Sequence, residues 1–234
     1  RFATSAGWQA IVELAIAEAV DLLLVSGDLV DLDNRYYEAM GPVETGLARL
    51  RERGIPVVAV AGNHDYGTAP GFADRYGDSF RLLGRNQRWE RHTIRDREGR
   101  PRLHIDGWSF AHEHVPDDPL ASYTLPAVGD APAIGLLHGD LDAPGSRYAP
   151  VRLGDLRRTP VSAWLLGHIH VPRLWEGPGV SPVPYPGSPF PLAPGESGKH
   201  GVWFLDIERE RAPRFTFRPI ARHRYHPIDV DLTG

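Results

Sequence analysis

The stretch "IPVVAVAGNHD", residues 55–65, joins a short apolar run to a cluster of polar side chains. A continuous apolar run of this length is typical of a strand that is buried on both faces, as in a parallel sheet. The stretch "DLLLVSGD" (21–28) has the same pattern, and residues 35–53 between the two carry apolar side chains at helical spacing. Strand, helix and strand in this order predict a parallel βαβ unit and an α/β fold.

Two further apolar runs repeat the pattern of the first two. The stretches "APAIGLLHGDL" (131–141) and "VSAWLLGHIH" (161–170) also end in polar residues. Because ligands of α/β sheets gather at the carboxyl ends of the parallel strands, we expect one shared site there. A mixture of carboxylate, amide oxygen and imidazole suits Mn²⁺, Fe²⁺ or Zn²⁺ better than Ca²⁺. The candidate side chains at this edge are Asp28, Asp31, Asn63, His64, Asp65, His138, His168 and His170.

The remaining segments predict a more solvated part of the fold. Residues 7–20 carry the apolar stripe of a helix, whereas residues 82–115 alternate polar and apolar side chains, as half-solvated antiparallel strands do. Pro and Gly crowd into residues 174–198, which predicts a long surface loop. The chain closes with alternating stretches from residue 201 onward, which predict further strands.

The composition excludes several classes of protein. The chain has 234 residues, a formal charge of −4 and no cysteine, so it holds no disulfide and no thiolate ligand. Its apolar runs are far too short for a membrane span, and we expect a cytoplasmic protein. The negative charge means that a polyanion such as DNA would have to be held by a local basic patch or by bound cations.

The order of four motifs carries a specific resemblance. "GDLVD" (27–31), "GNHD" (62–65), an isolated His138 and "GHIH" (167–170) resemble the calcineurin-like metallophosphoesterase family, and the resemblance covers essentially the whole chain. It implies a four-layer αββα sandwich of two mixed β-sheets flanked by helices. It also implies a dinuclear metal site above the strand ends and hydrolysis of phosphate esters.

The resemblance also implies a role for each ligand. Asp28 would bridge both metals, Asn63, His138 and His168 would complete one of them, and His170 would join the other. A pair of divalent ions of this kind can hold a phosphate and activate water. We expect two Mn²⁺ ions, with Fe²⁺ or Zn²⁺ as alternatives.

Three polar residues beside the ligands receive other roles. The resemblance implies that His64 faces the scissile phosphate, as proton donor to the leaving oxygen or as a stabiliser of its charge. Asp31 and Asp65 are expected to orient an imidazole through its other nitrogen. The alternative for both aspartates is an ordinary turn or helix cap.

The resemblance also sets expectations for the domain boundaries. The family's opening Asp-x-His motif is absent, and a helix at 7–20 in a βαβ order needs a strand before it. We therefore expect residues 1–225 to be a metallophosphoesterase domain whose first strand lies upstream of residue 1; the alternative is a damaged metal site. Residues 226–234 would begin a C-terminal cap segment.

Two stretches resemble one branch of the family, the DNA-repair exonucleases. They are "YAPVRLGDL" (148–156) and "YPGSPFPLAPGESGKHGVWFLDI" (185–207), and the branch comprises the nuclease subunit of the SbcCD complex and its YhaO-like relatives. The resemblance implies Mn²⁺-dependent cleavage of DNA, a homodimer, and an SMC-like (SbcC-like) coiled-coil ATPase as partner.

Other interpretations of the same residues remain open. The metal core also serves phosphomonoesterases and cyclic-nucleotide phosphodiesterases, and the fold occurs as a catalytically inactive scaffold in the retromer. The eight arginines within residues 81–102 are consistent with DNA contact or with a solvated sheet face. "HEH" (112–114) predicts either a second metal site or an ordinary strand edge.

Overall fold

The computed structural model describes residues 4–31, 36–127, 129, 131–209, 211–228 and 230. No helix in these ranges is both long enough and apolar enough to cross a membrane. The helices and strands are α1 (Thr4–Ala17), β1 (Leu23–Ser26), α2 (Tyr36–Glu52), β2 (Val57–Val60), α3 (Ala69–Tyr76), β3 (Phe80–Leu82), β4 (Glu90–Arg95), β5 (Pro101–Trp108), β6 (Ala133–His138), α4 (Leu153–Leu156), β7 (Ala163–Gly167), β8 (Arg173–Gly177), β9 (Val180–Tyr185), β10 (Gly201–Asp206) and β11 (Arg214–Pro219).

The first sheet confirms the predicted βαβ unit. β1 pairs with β2 in parallel, with α2 between them in the chain, and β3 pairs in parallel on the other side of β2. Leu23 lies opposite Val57 and Ser26 lies opposite Val60, so β1 and β2 end level with each other. The polar residues that follow both strands therefore leave the same edge of the sheet.

The side chains of β2 divide between two cores. Val57 and Ala59 pack in the core formed with α1, α2 and α3, whereas Val58 and Val60 pack in the core shared with the second sheet. Successive side chains of a strand point to opposite faces, which gives this division. Because both faces are buried, the strand shows a continuous apolar run in the sequence.

The second sheet is mixed and has the strand order β4-β5-β6-β7. β4 and β5 are antiparallel, as the alternation within residues 82–115 predicts, and β5, β6 and β7 are parallel. Ile134 and Leu136 of β6 face the first sheet, whereas Leu137 of β6 and Trp164 of β7 lie in the core on the opposite face. Two sheets thus pack face to face around a shared apolar layer.

The outer layers complete the α/β sandwich that the sequence predicts. α1, α2 and α3 cover the first sheet, whose three described strands are all parallel. The outer core of the second sheet includes Leu156 of the one-turn α4 and Val183 and Tyr185 of the antiparallel hairpin β8–β9. The helical layer on this side is therefore much thinner than that on the first sheet.

Two local predictions are wrong. Residues 174–198 begin with the hairpin β8–β9, where a long loop was expected. The prolines of β9, at 182 and 184, alternate along the strand, so they remove N–H groups from one edge only, and strand pairing survives on the other.

The alternating stretch 107–114 is strand only as far as Trp108. Ser109 then leaves the sheet, because its hydroxyl accepts from the backbone N–H of Ala61 and donates to the carbonyl of Leu83.

A buried ion pair joins the two antiparallel strands of the second sheet. The carboxylate of Asp106 is fully buried and accepts from Arg91 Nε at 2.6 Å and Nη2 at 2.7 Å. It also accepts from the hydroxyl of Tyr123 at 2.7 Å. Such a fork-to-fork pair is strong when complete, but the loss of one partner leaves the other charge uncompensated.

We expect Asp106→Asn to lower the free energy of unfolding by about 3–5 kcal/mol, because the half-buried Arg91 loses its counter-charge. Urea denaturation measures this loss. Asp206→Asn is the matched control, since Asp206 pairs with Arg214 at the exposed surface. That variant should cost less than about 1 kcal/mol. Equal losses in the two variants would contradict this role of the buried pair.

Candidate metal centre

Four polar side chains converge where strands of both sheets end. Asp28 follows β1, Asn63 follows β2, His138 is the last residue of β6, and His168 follows β7. β1 and β2 end level with each other, and so do β6 and β7, where His138 lies opposite Gly167. The predicted gathering at the carboxyl ends of the strands is therefore observed for these four residues.

The four side chains form one connected cluster. His138 is buried, and its Nε2 lies 3.0 Å from Asn63 Oδ1 and 3.2 Å from Asp28 Oδ2. His168 Nδ1 lies 3.2 Å from the same Asn63 oxygen. Asp28, His138 and His168 each offer one ligand atom, and these atoms lie within 4.8 Å of one another. Such spacing is that of donors around a single cation.

The electrostatics of the cluster also favour a cation. Burial lowers the pKa of His138, but the Asp28 carboxylate and the Ser26 carbonyl outweigh it and raise that pKa above the ordinary value. Burial acts to raise the pKa of Asp28, yet His138 brings it below its usual range. The two groups thus stabilise each other's charged forms. A divalent ion would supply the same positive charge to a nitrogen and oxygen donor set that suits Mn²⁺, Fe²⁺ or Zn²⁺.

The backbone is strained at two of the four positions. Asp28 has φ +54° and His168 has φ +100°, a region that side-chain-bearing residues seldom occupy. Strain of this kind persists where the surrounding structure holds it, and it concentrates at functional sites. At both positions the strained residue is one that extends its side chain into the cluster.

His64 lies beside the cluster, next to Asn63 in the chain. Its backbone N–H donates to Asp28 Oδ1 at 2.9 Å, and its imidazole Nδ1 lies 3.1 Å from Asp31 Oδ1. Asp31 is thus adjacent to the imidazole of His64, and its role as an orienting carboxylate stays a prediction. The imidazole of His64 is 38 % exposed, so a substrate can reach it.

Asp65 is held by backbone groups of two loops, and its role of orienting an imidazole stays a prediction. Its side chain is buried and accepts from the backbone N–H groups of Gly62 at 2.7 Å and Leu29 at 2.8 Å. Burial and the neighbouring Asp28 charge raise the pKa of Asp65 to about 6. Asp65 therefore fastens the loop after β2 to the loop after β1, and so holds the backbones on which Asp28 and Asn63 lie.

His170 is not brought into the cluster. Its imidazole is 46 % exposed, and its Nδ1 donates to Glu196 Oε1 at 2.7 Å. The strand β7 ends at Gly167, so the spacing of His168 and His170 does not place both side chains on one strand face. The ligand role of His170 stays a prediction.

Sequence reasoning missed three residues that contact the histidines. Asp140 Oδ1 lies 3.5 Å from His168 Nε2, and the ring of Tyr148 lies 4.7 Å from the ring of His168. The third residue is Glu196, which contacts His170. Asp140 follows His138 by two residues in "LLHGD", so its position beside the cluster was readable from the sequence.

The "HEH" stretch gives no support to a second metal site. His114 lies against Tyr148, with ring centroids 5.5 Å apart. Within the described residues, the potential metal-binding group of histidines and carboxylates is Asp28, His138 and His168, and neither His112 nor His114 belongs to it.

Gly62 provides a direct test of the cluster as a cation site. A Cβ at this position would lie 2.2 Å from Asp28 Oδ1 and 2.7 Å from His138 Cε1. We expect Gly62→Ala to weaken Mn²⁺ binding by roughly 10–100-fold, because both ligands must shift. Calorimetric titration of the metal-free protein with Mn²⁺ measures the change. Gly67→Ala is the control, since a Cβ there meets no atom within 4 Å. Equal affinities in the two variants would show that Mn²⁺ binds elsewhere.

Three of the curated relatives found by comparison with known proteins share modest identity with this chain over most of its length. The uncharacterized metallophosphoesterase YhaO of Bacillus subtilis is 28% identical over 87% of this chain and 50% of its own length. The DNA double-strand break repair protein Mre11 of Methanopyrus kandleri is 27% identical over 92% of this chain and 51% of its own. The SbcD nuclease component of SbcCD from Rhodobacter capsulatus is 30% identical over 86% of this chain and 60% of its own. The chain thus spans about half to three fifths of the length of these relatives.

Structure and family comparisons agree on the fold. A dimetal phosphatase from Danio rerio superposes with a TM-score of 0.58 at 13% identity, covering 92% of this chain and 86% of that one. This likeness shows the fold alone. The profile of the calcineurin-like phosphoesterases matches residues 4–172. The relatives are consistent with the DNA-repair nuclease branch that the motifs resemble. The chain belongs to the calcineurin-like phosphoesterase family.

Proposed function

We propose that this protein is a dinuclear-metal phosphodiesterase that hydrolyses DNA. The observation that carries the proposal is the convergence of Asp28, Asn63, His138 and His168 around one position, with the imidazole of His64 beside it. The names of two relatives, a DNA double-strand break repair protein and a nuclease component, support DNA as the substrate.

The resemblance to the metallophosphoesterases implies how two ions would be shared. Asn63, His138 and His168 would hold one divalent ion, His170 would contribute to the second, and Asp28 would bridge the two. The donor set suits Mn²⁺, with Fe²⁺ and Zn²⁺ as alternatives. When bound, such a pair supplies Lewis acidity to the phosphate and lowers the pKa of water.

His64 is the group of this chain that would act on the leaving oxygen. The backbone N–H of His64 donates to Asp28 Oδ1, and Asp31 lies next to Nδ1 of the His64 ring. Nε2 is therefore the ring nitrogen available to a substrate. General acid catalysis requires a side chain held within hydrogen-bond reach of the atom that receives the proton. We propose that Asp31 fixes the ring so that His64 delivers a proton to the departing oxygen or stabilises its charge.

The arginine-rich segment 81–102 gives little support to DNA binding. Most of its arginines are engaged by neighbouring groups of the protein, which favours the solvated-face interpretation. The pairs are Arg81 with Asp78, Arg85 with Asp74, Arg91 with Asp106, Arg95 with the Gly99 carbonyl, and Arg100 with Asp96 and Glu98. DNA contact is therefore proposed at the metal centre and its surrounding loops.

Partners and domain limits extend the proposal to the whole protein. We propose a homodimer, a coiled-coil ATPase as partner, and a cytoplasmic location. We also propose that residues 1–225 form the metallophosphoesterase domain, with a cap segment from residue 226. Two relatives, named as a repair protein and as part of the SbcCD nuclease, support an assembly of this kind.

We expect His64→Asn to reduce kcat on DNA by roughly 10²–10⁴-fold, because the leaving oxygen loses its proton donor. Mn²⁺ affinity should stay within about threefold of that of the unmodified protein, because the imidazole lies outside the cation cluster. Initial rates on end-labelled linear DNA and calorimetric Mn²⁺ titration give the two values. His112→Asn, at an exposed histidine that is not part of the cation cluster, is the control. Full activity of His64→Asn would remove His64 from the reaction.

A substrate comparison tests the function itself. Linear DNA, bis(p-nitrophenyl) phosphate, p-nitrophenyl phosphate and a cyclic nucleotide are each incubated with the full chain and Mn²⁺, with and without a chelator. We expect chelator-sensitive hydrolysis of DNA that weakens steeply with salt, as several phosphate contacts require. Hydrolysis of the monoester or the cyclic nucleotide without DNA cleavage would assign the protein to those enzyme classes. Inactivity on all four substrates would favour a scaffold.

A further inference from the structure

The segment between β9 and β10 is built against His170. The backbone N–H of Ser188 donates to the carbonyl of His170 at 2.8 Å. Gly187 has φ +76°, and a Cβ there would lie 2.6 Å from that same carbonyl oxygen and 2.6 Å from Pro172 Cδ. The turn at Gly187 therefore requires glycine, because only a residue without a side chain can approach His170 so closely.

Glu196 reaches His170 from the far end of this segment. Its Oε1 accepts from His170 Nδ1 at 2.7 Å, and its Oε2 accepts from the backbone N–H of Leu192 at 2.6 Å. The carboxylate is only 15 % exposed, although the imidazole is 46 % exposed. One carboxylate thus joins the loop backbone to the imidazole, with both oxygens used.

A buried histidine contacts both ends of the segment. His200 is 1% exposed, its Nδ1 lies 3.0 Å from the Ser188 carbonyl, and its Nε2 lies 3.2 Å from the Glu196 carbonyl. The backbone N–H of Glu196 also donates to the carbonyl of Ala193 at 2.9 Å, so the backbone of Glu196 is held independently of its side chain. This fixed backbone distinguishes the His170–Glu196 contact from an exposed ion pair, which is held by its two side chains alone.

We propose that Glu196 is a positioning residue that sets the tautomer of His170. A carboxylate can only accept hydrogen bonds, so its contact keeps the proton of the neutral imidazole on Nδ1 and leaves the lone pair on Nε2. A histidine binds a metal through a nitrogen that carries a lone pair, while its other N–H is held by an acceptor. The inference rests on the ligand role of His170 in the proposed function.

His138 and His168 also have an oxygen acceptor on the side of the ring that faces away from the cluster. His138 Nδ1 donates to the carbonyl of Ser26 at 2.9 Å, away from the cluster. His168 Nε2 lies 3.5 Å from Asp140 Oδ1, again on the side opposite Asn63. Glu196 would therefore do for His170 what the Ser26 carbonyl and Asp140 do for the two clustered imidazoles.

Glu196→Gln tests the proposal with little change of size. The amide oxygen of glutamine must accept from the fixed Leu192 N–H, so its NH₂ group faces His170 Nδ1. A donor at that place requires Nδ1 to be the acceptor, which moves the proton to Nε2. We expect ¹⁵N NMR of the metal-free protein at about pH 8.5, roughly two units above the ordinary histidine pKa, to show Nδ1–H in the unmodified chain and Nε2–H in Glu196→Gln.

The second readout is Mn²⁺ affinity by calorimetric titration. Glu196→Gln should weaken the Mn²⁺ site that includes His170 by roughly 10–100-fold. Glu196→Asp, which keeps an acceptor-only group, should keep Nδ1–H. Glu176→Gln, at an exposed glutamate of β8, should change neither readout. Unchanged backbone amide shifts of Gly187 and Ser188 in Glu196→Gln confirm that the loop is intact.

An unchanged tautomer in Glu196→Gln with an intact loop would overturn the proposal, as would a shifted tautomer with full Mn²⁺ affinity. Both readouts need no substrate. If the unmodified protein fails to cleave DNA while tautomer and affinity change as expected, the proposed function fails and the role of Glu196 stands. If DNA is cleaved but neither readout changes, the role of Glu196 fails and the proposed function stands.

Discussion

The buried contact between Asp28 and His138 constrains the rest of the site. A carboxylate and an imidazole at the end of apolar strands are costly to bury unless opposite charge or a cation compensates them. The two sheets must approach closely to make this contact. A Cβ at Gly167 would lie 1.8 Å from the Ser26 carbonyl, so β7 meets β1 at a distance that no side chain would permit. Asp65 then ties the loops that follow β1 and β2, and the strained backbone at Asp28 is held in place.

The strand ends could be predicted because their signals are local. Each apolar run indicates a buried strand by itself, and the rule that parallel strands share a ligand-bearing edge brings Asp28, Asn63, His138 and His168 together. Asp65 was identified as a neighbour of the site, but its partners are backbone N–H groups, which carry no mark in the sequence. The hairpin β8–β9 was missed because proline normally signals a loop, and only the three-dimensional pairing shows which edge of the strand each proline leaves free.

Contacts made across long sequence separations could not be predicted. Glu196 lies 26 residues from His170, in a segment whose composition indicates only a loop. The site therefore has two parts, one positioned by strand ends and one positioned by a loop. Asp28, Asn63, His138 and His168 lie at the ends of packed strands, whereas His170 contacts a loop that packs against His200. We infer that the first part is the more rigid, since strands packed on both faces move least.

We propose that the strand-end cluster binds a divalent cation. Crystals of the full chain soaked in Mn²⁺, with anomalous data collected near the manganese absorption edge, would locate the ion. We predict an anomalous peak within about 2.0–2.4 Å of Asp28, Asn63 Oδ1, His138 Nε2 and His168 Nδ1, the range of first-row metal–ligand bonds. Well-ordered side chains with no peak among them, or a peak only at another place, would contradict it.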